Sequence, residues 1–347
     1  MRRICASLAL VFLLAVPAVT QDATTLTVVT INAWSGLTDS GVFARGEIED
    51  DSARTIRLGM LAEDLSALDP DILTVGEANP VDGVAARLEA ALELEAVAHM
   101  AEGGVRIGPV GLPSNLREGD IVLAAEAAEP SLAVRRTLAG GLVGRAVSFQ
   151  TGETTQVIGV ELSVEGQPLY VFQTRWHASP FATRADMVAL VDAYHAGELD
   201  GEAYLERMRR AVEGAERRME EARRTVIAVN ETAGDAPVIL TGTLNALPGS
   251  PEIAVLEKAG FVDAFAVAGS GPAATWDPAR NPLIGEQRAE DRARVMWPER
   301  AARVDYVFVR GGIRVASAEV VLDTSGRELS DHFGVRARII LPEGGTQ

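Results

Sequence analysis

Five short apolar strands in this chain run straight into polar residues that a hydrophobic core has no use for. Residues 26–31 (LTVVTI) end at Asn32, 72–75 (ILTV) end just before Glu77, and 169–174 (LYVFQT) lead into Arg175 and His177. VILTG leads to Thr243 and Asn245, ARVDYVFV carries Asp305, and Ser330-Asp331-His332 stands just ahead of the final strand. Continuous β-branched and apolar runs read as buried strands. Such strands need layers packed against them, which confines the chain to a layered α/β fold. Taken singly, each polar end is a turn residue, a helix cap or a hydrogen-bonded structural histidine. Taken together, at the ends of buried strands, they predict convergence on one cleft.

The rest of the pattern supplies the covering layers. Helical spacing marks residues 53–68 (Ile56, Met60, Leu61, Leu65, Leu68), closed by Asp69-Pro70-Asp71, then 81–92 and 182–194. Residues 202–229 form a longer helix in which Leu205, Met208, Val212, Ala215, Met219, Ala222 and Val226 recur every three or four positions. This reads as a surface helix lying on a sheet, with a partner-binding coiled coil as the alternative. Further strands are read at 96–99, 121–125, 132–138, 146–149, 155–164, 313–321 and 333–340, and a loop of functional length at 102–119. Helices and strands alternate early, while hairpin-like strands crowd the middle and end. The predicted architecture is therefore two mixed sheets covered by helices, without linker or repeat.

The first twenty residues stand apart. A basic start, Met1-Arg2-Arg3, precedes an apolar run to Ala18 and small residues at Ala18-Val19-Thr20, the layout of a secretory signal peptide. The run is shorter than the ~20 residues of a membrane span. The expected domain is 21–347, exported to a secreted or periplasmic location, with no transmembrane span after cleavage. Cys5, the only cysteine, leaves with the leader, so a large core rather than disulfides must stabilise the remainder. The 32 basic and 49 acidic residues give a net charge of −17. A surface this acidic gains nothing from counterion release, which excludes strong non-specific nucleic-acid binding. Lys258 is the only lysine, so local positive charge must come from arginine.

The ordered segments TINAWSG, DPDILTVGEANP, LYVFQTRWHASP, VILTGTLNALPGSPE, ARVDYVFV and LSDHFGV resemble the endonuclease/exonuclease/phosphatase superfamily over nearly the whole chain after the leader. The resemblance implies an α/β four-layer sandwich of two mixed β-sheets flanked by helices. It also implies hydrolysis of a phosphate-ester substrate with a divalent ion, Mg²⁺ or Mn²⁺; the chain itself is expected to be a monomer. Glu77 resembles the metal-ligating glutamate, with Asn32 beside it and Asp331 as the second acidic group. His332 resembles the histidine that contacts phosphoryl oxygens, Asp305 the carboxylate orienting its ring, and Asn245 the amide that positions water and phosphate. Asn115 and Glu118 in NLREGD resemble cleft-lining residues, with Glu118 placed to pair with the strand ending at Arg175 and His177. Asn281 in TWDPARNP is either a substrate contact or a turn residue. Trp34, Trp176 and Trp276 are either aromatic walls of the site or core packing.

Three positions depart from the pattern. Thr243 stands where the family has an aspartate that activates water, and loss of a general base costs ~10²–10⁴-fold in rate. Arg175 replaces a histidine; it can clamp a phosphate but cannot donate a proton at neutral pH. His177, two residues on, points to the same face if the strand stays regular and takes over that histidine's catalytic role only if the backbone bulges. Gly76 replaces a glutamine that supports the metal glutamate. Two readings remain: a metal-dependent phosphoesterase with impaired catalysis, or a catalytically inactive family member that acts as a binding protein.

Overall fold

The computed structural model describes residues 23–38, 44–103, 106–107, 110–111, 115–141, 147–148, 153–286, 300–323 and 326–342. The expected leader at 1–20 lies outside them. The chain runs through β1 (Thr25–Asn32), α1 (Asp51–Ala67), β2 (Ile72–Ala78), α2 (Val81–Leu92) and β3 (Glu95–Glu102). Next come β4 (Arg106–Ile107), β5 (Val110–Gly111), β6 (Glu118–Ala124), β7 (Ser131–Ala139), β8 (Val147–Ser148), β9 (Thr155–Val164) and β10 (Gln167–Arg175). Helices α3 (Arg184–His195) and α4 (Gly201–Ala233) precede β11 (Val238–Thr243), α5 (Pro251–Lys258), β12 (Val262–Asp263), α6 (Ala264–Ala268) and β13 (Gly269–Ser270). The chain closes through α7 (Pro282–Glu286), β14 (Asp305–Arg310), β15 (Arg314–Val321) and β16 (Gly334–Ile340).

One sheet has the order β13-β15-β16-β1-β2-β6-β3 and the other β12-β14-β11-β10-β9-β7; both mix parallel and antiparallel pairs. Side chains alternate across each strand, so each sheet feeds two cores. Val28, Ile72 and Val122 meet Val160, Val171, Ile239 and Val307 between the sheets. Val29, Ile31, Leu73, Val75 and Leu123 pack outward on α1 and α2. Phe172, Val238, Leu240 and Phe308 pack outward on α4 and α5. The result is the four-layer sandwich expected from the sequence. Inside the loop read at 102–119, β4 pairs with β5 and with β8 in a small third sheet.

Two helices turn differently from the sequence reading. In α1 the buried face is Arg54, Arg57, Leu58, Leu61, Ala62 and Leu65, while Ile56 is exposed. Arg57 is buried because it ties two loops together. Its guanidinium donates to the carbonyls of Ala33, Trp34 and Leu329, which flank the strand ends bearing Asn32 and His332, and it pairs with Glu49 at 2.7 Å. Replacing Arg57 with methionine is expected to cost about 3–5 kcal/mol in urea unfolding, because the Glu49 charge and these carbonyls lose their partner. A change below about 1 kcal/mol, the range of an exposed pair, contradicts that role. In α4 the buried face is Ala211, Gly214, Arg218, Glu221, Ala222, Thr225, Ala228 and Val229, and Leu205 and Val212 are exposed. The helix does lie on the six-stranded sheet, but it buries charges that the apolar stripe did not reveal.

Candidate active site

Strands β1 and β2 run parallel in one sheet and β10 and β11 run parallel in the other. The crevice beyond the carboxyl ends of parallel strands is where open α/β sheets bind ligands. Register aligns those ends: Asn32 lies opposite Gly76, and Arg175 opposite Thr243, which in turn faces Asp305. Three residues at these ends adopt left-handed backbone: Trp34 at φ 56°, Glu77 at φ 52° and Asn245 at φ 50°. Such conformations cost about 1–3 kcal/mol each and concentrate where side chains must be aimed for function.

A hydrogen-bond chain crosses between the sheets. Asn32 Nδ2 donates to Thr243 Oγ1 at 3.4 Å, and Thr243 Oγ1 donates to Asp305 Oδ1 at 2.6 Å. The other Asp305 oxygen lies 2.8 Å from His332 Nδ1. Ser330 Oγ donates to the Asn32 carbonyl and accepts from the His332 backbone N–H, which fixes the loop before β16 against β1. The edge of Trp276 packs on the imidazole, with ring centroids 5.0 Å apart. Burial alone would lower the His332 pKa. Asp305, through its charge and hydrogen bond, outweighs burial with help from Asp331 and Glu77, and raises it from 6.5 to about 9. The ring is thus held protonated at neutral pH, with Nδ1 committed to Asp305. The raised pKa makes this pair's stabilisation fully present below pH 6.5 and lost as pH rises through about 9. A ring titration followed by NMR is expected near 9, falling in Asp305→Asn; a wild-type midpoint near 6.5 contradicts the pairing.

The opposite wall is built on Arg175. Its Nη1 lies 3.2 Å from Glu77 Oε1, its Nη2 2.7 Å from Glu118 Oε1, and Nη1 also 3.9 Å from Glu153 Oε1. The pairing of Glu118 with the β10 end is the one read from NLREGD. Glu153 was not singled out from the sequence. It also binds His177 Nδ1 and Arg217. Burial pushes the Glu153 carboxyl up, but His177, Arg175 and Arg217 outweigh it and bring it down to about 2. His177 therefore belongs to a pair with Glu153, while its backbone N–H donates to Glu221 of α4 at 2.7 Å. Beneath this wall, Asp120 accepts from Gln156 at 2.8 Å, and burial raises it to about 7. A Cβ on Gly76 would stand 3.0 Å from Gln173 Nε2, so an amide from the other sheet fills the room beside Gly76.

Asn245 donates from Nδ2 to the Trp176 carbonyl at 2.9 Å, while its buried Oδ1 accepts no hydrogen bond from the described residues. Asn281 holds a turn, donating to the Ser330 carbonyl and accepting from the Leu283 N–H. Asn115 tethers the Arg45 backbone and Glu47. Trp176 is core, its indole N–H donating to Thr225, and Trp34 lies under the Arg57 guanidinium.

The residues read as metal ligands come to the same region, yet their donor set does not fit a coordinated divalent ion. Glu77 already carries the Arg175 guanidinium, and Asn32 Oδ1 accepts the Trp34 backbone N–H at 2.9 Å. Asp331 Oδ1 lies 3.4 Å from Ser330 Oγ. Among the described residues no group of three acidic, histidine or cysteine side chains is arranged to hold a metal. What this site presents instead is two nitrogen cations, Arg175 paired with Glu77 and Glu118, and His332 paired with Asp305.

A family model described as "Endonuclease/Exonuclease/phosphatase family" matches residues 29–332. No curated protein matches the chain. Solved structures match over most of its length. An endonuclease/exonuclease/phosphatase from Bacteroides vulgatus is 15% identical, with a TM-score of 0.60, covering 92% of this chain and 100% of that one. A functionally unknown conserved protein from Enterococcus faecalis V583 is 16% identical, with a TM-score of 0.58, covering 91% and 100%. D. rerio TDP2, complexed with a single-strand DNA product, is 14% identical, with a TM-score of 0.55, covering 92% and 100%. At these identities the likeness is one of fold.

Proposed function

The chain belongs to the endonuclease/exonuclease/phosphatase family, and from that premise we propose that it is an exported phosphoesterase acting at the cleft where β1, β2, β10 and β11 end. Members of this family hydrolyse phosphoester bonds. The observation that carries the reading is the buried His332–Asp305 pair, 2.8 Å apart, with its ring raised to about 9. A protonated imidazole fixed by a carboxylate is a donor for a phosphoryl oxygen, and its value grows as negative charge develops in the transition state. Arg175 places a second, permanent positive charge beside the same group. Asn245, held by the Trp176 carbonyl at 2.9 Å, is the amide that the family resemblance assigns to orienting the attacking water for in-line displacement. With Thr243 where the family has an aspartate, the proton of the attacking water passes to solvent rather than to a base at that position. Thr243 already donates to Asp305, so turnover is expected below that of a relative with a base by ~10²–10⁴-fold.

The net charge of −17 favours a small phosphodiester, a nucleotide or a phospholipid head group over long duplex DNA. Export rests on the leader at 1–20, and the chain is proposed to act as a monomer. Among the described residues no helix is long and apolar enough to cross a membrane.

Thr243 and the Arg175–Glu77 pair favour a second reading, in which the cleft binds phosphate esters without turning them over. Hydrolysis of bis-p-nitrophenyl phosphate by the wild type and by the Thr243→Asp/Arg175→His double variant separates the two. The hydrolase reading expects wild-type turnover above blank, and a faster double variant. A wild type equal to blank beside an active double variant overturns it in favour of the binding protein.

A further inference from the structure

We propose that Arg175 is the resident cation of this cleft, occupying the ground beside Glu77 that a divalent ion would take, so that the site works without a bound metal. This deepens the phosphoesterase reading and rests on it for its functional meaning, though not for its test.

Three observations carry it. First, the guanidinium is fixed rather than free to swing. It is held by Glu77, Glu118 and Glu153 at 3.2, 2.7 and 3.9 Å, and its side chain is only 12% exposed. Glu153 is itself anchored by His177 and Arg217, so the cage that holds Arg175 reaches back to α4. Second, the position beside Glu77 already holds a cation. Arg175 serves Glu77 and Glu118 with separate nitrogens, and Glu153 is met by Arg217. A divalent ion on Glu77 would sit against a guanidinium of like charge in a half-buried site, where screening by water is weak. Third, the other oxygen donor is spent: Asn32 Oδ1 caps the Trp34 N–H, and its amide nitrogen faces Thr243. Mg²⁺ in particular demands near-ideal octahedral geometry from hard oxygens, whereas here Glu77 Oε1 and Asn32 Oδ1 are already engaged by Arg175 and the Trp34 N–H. Arginine is the residue suited to the exchange, because its charge is permanent and its fork matches a phosphoryl group.

The test reads metal binding rather than turnover. Chelator-treated full-length chain is titrated with MgCl₂ and MnCl₂ by calorimetry and followed by thermal unfolding, in the wild type, Glu77→Gln, Arg175→Met and Arg175→Met/Glu77→Gln. The wild type is expected to show no saturable binding in the millimolar range and the same response to metal as Glu77→Gln. Removing Arg175 is expected to tighten binding by about tenfold or more and to raise the unfolding midpoint with metal, and Glu77→Gln in that background is expected to abolish the gain. Saturable wild-type binding that Glu77→Gln weakens overturns the proposal, as does an Arg175→Met variant that binds no better than wild type. If Arg175→Met does not fold, the comparison of wild type with Glu77→Gln still decides. A chain without hydrolytic activity fails the phosphoesterase reading and leaves these outcomes unchanged.

Discussion

Replacing His332 with alanine is expected to lower hydrolysis of a phosphate diester by about 10²–10³-fold, the loss found when one preorganised donor to a developing oxyanion is removed. The effect is expected mainly in kcat, because the donor's interaction strengthens as charge builds on the phosphoryl oxygen. Asp305→Asn is expected to act through the same ring, since Asp305 holds Nδ1 at 2.8 Å and raises the ring to about 9. The double variant should therefore lose little more than His332→Ala alone, as groups acting as one unit do. His332→Gln serves as the folding control. It keeps a polar side chain in the space beside Trp276, so its unfolding midpoint should fall less than that of His332→Ala while its activity falls as far. Retention of wild-type kcat in His332→Ala would remove the ring from the chemistry.

The second large effect is on folding. Gly242 sits between Thr241 and Thr243 in β11 at φ 136°, and a Cβ there would stand 1.8 Å from the Thr174 carbonyl oxygen on β10. No side-chain movement relieves a clash with backbone, so the parallel pair β10–β11 would have to separate at the point where it aims Arg175 and Thr243. Gly242→Ala is expected to cost about 4 kcal/mol or more, the range reserved for a few drastic mechanisms. Soluble expression or a lowered unfolding midpoint reads this out. A variant as stable as the wild type would show that this strand end tolerates displacement.

The residues that lie on strand ends were legible because their signal is local. A short apolar run fixes a strand, and its first polar residue marks the end, so Asn32, Arg175, Thr243, Asp305 and His332 stood out, as did Glu77. Their convergence followed from two parallel pairs in register. The supports were not legible. Glu153, Glu221, Arg218 and Asp120 are charged residues that ordinarily face water; Glu221, Arg218 and Asp120 are buried here, and Glu153 half-buried, by partners distant in sequence. Glu221 takes Thr155 and the His177 backbone, and Arg218 takes Ser179 and Glu252. In α4 the one available hint was Gly214 on the face of Arg218 and Glu221, where a Cβ would collide with Ser179. The apolar repeat of Leu205 and Val212 pointed to a different face, because hydrophobic periodicity cannot register a buried ion pair. His177 was placed on the right strand extension, but its partner Glu153 arrives from the loop before β9, which no periodicity announces. Likewise, the sequence around Gly76 carries no sign that Gln173, from the other sheet, fills the space beside it.

The claim on which these expectations depend is that the cleft flanked by Arg175 and His332 hydrolyses phosphate esters. Release of p-nitrophenolate from bis-p-nitrophenyl phosphate by the purified chain, measured with and without inorganic phosphate and beside His332→Ala, tests it most directly. The expected result is turnover above blank that phosphate inhibits competitively and that His332→Ala removes. Turnover equal to blank, or turnover that survives His332→Ala unchanged, would contradict it.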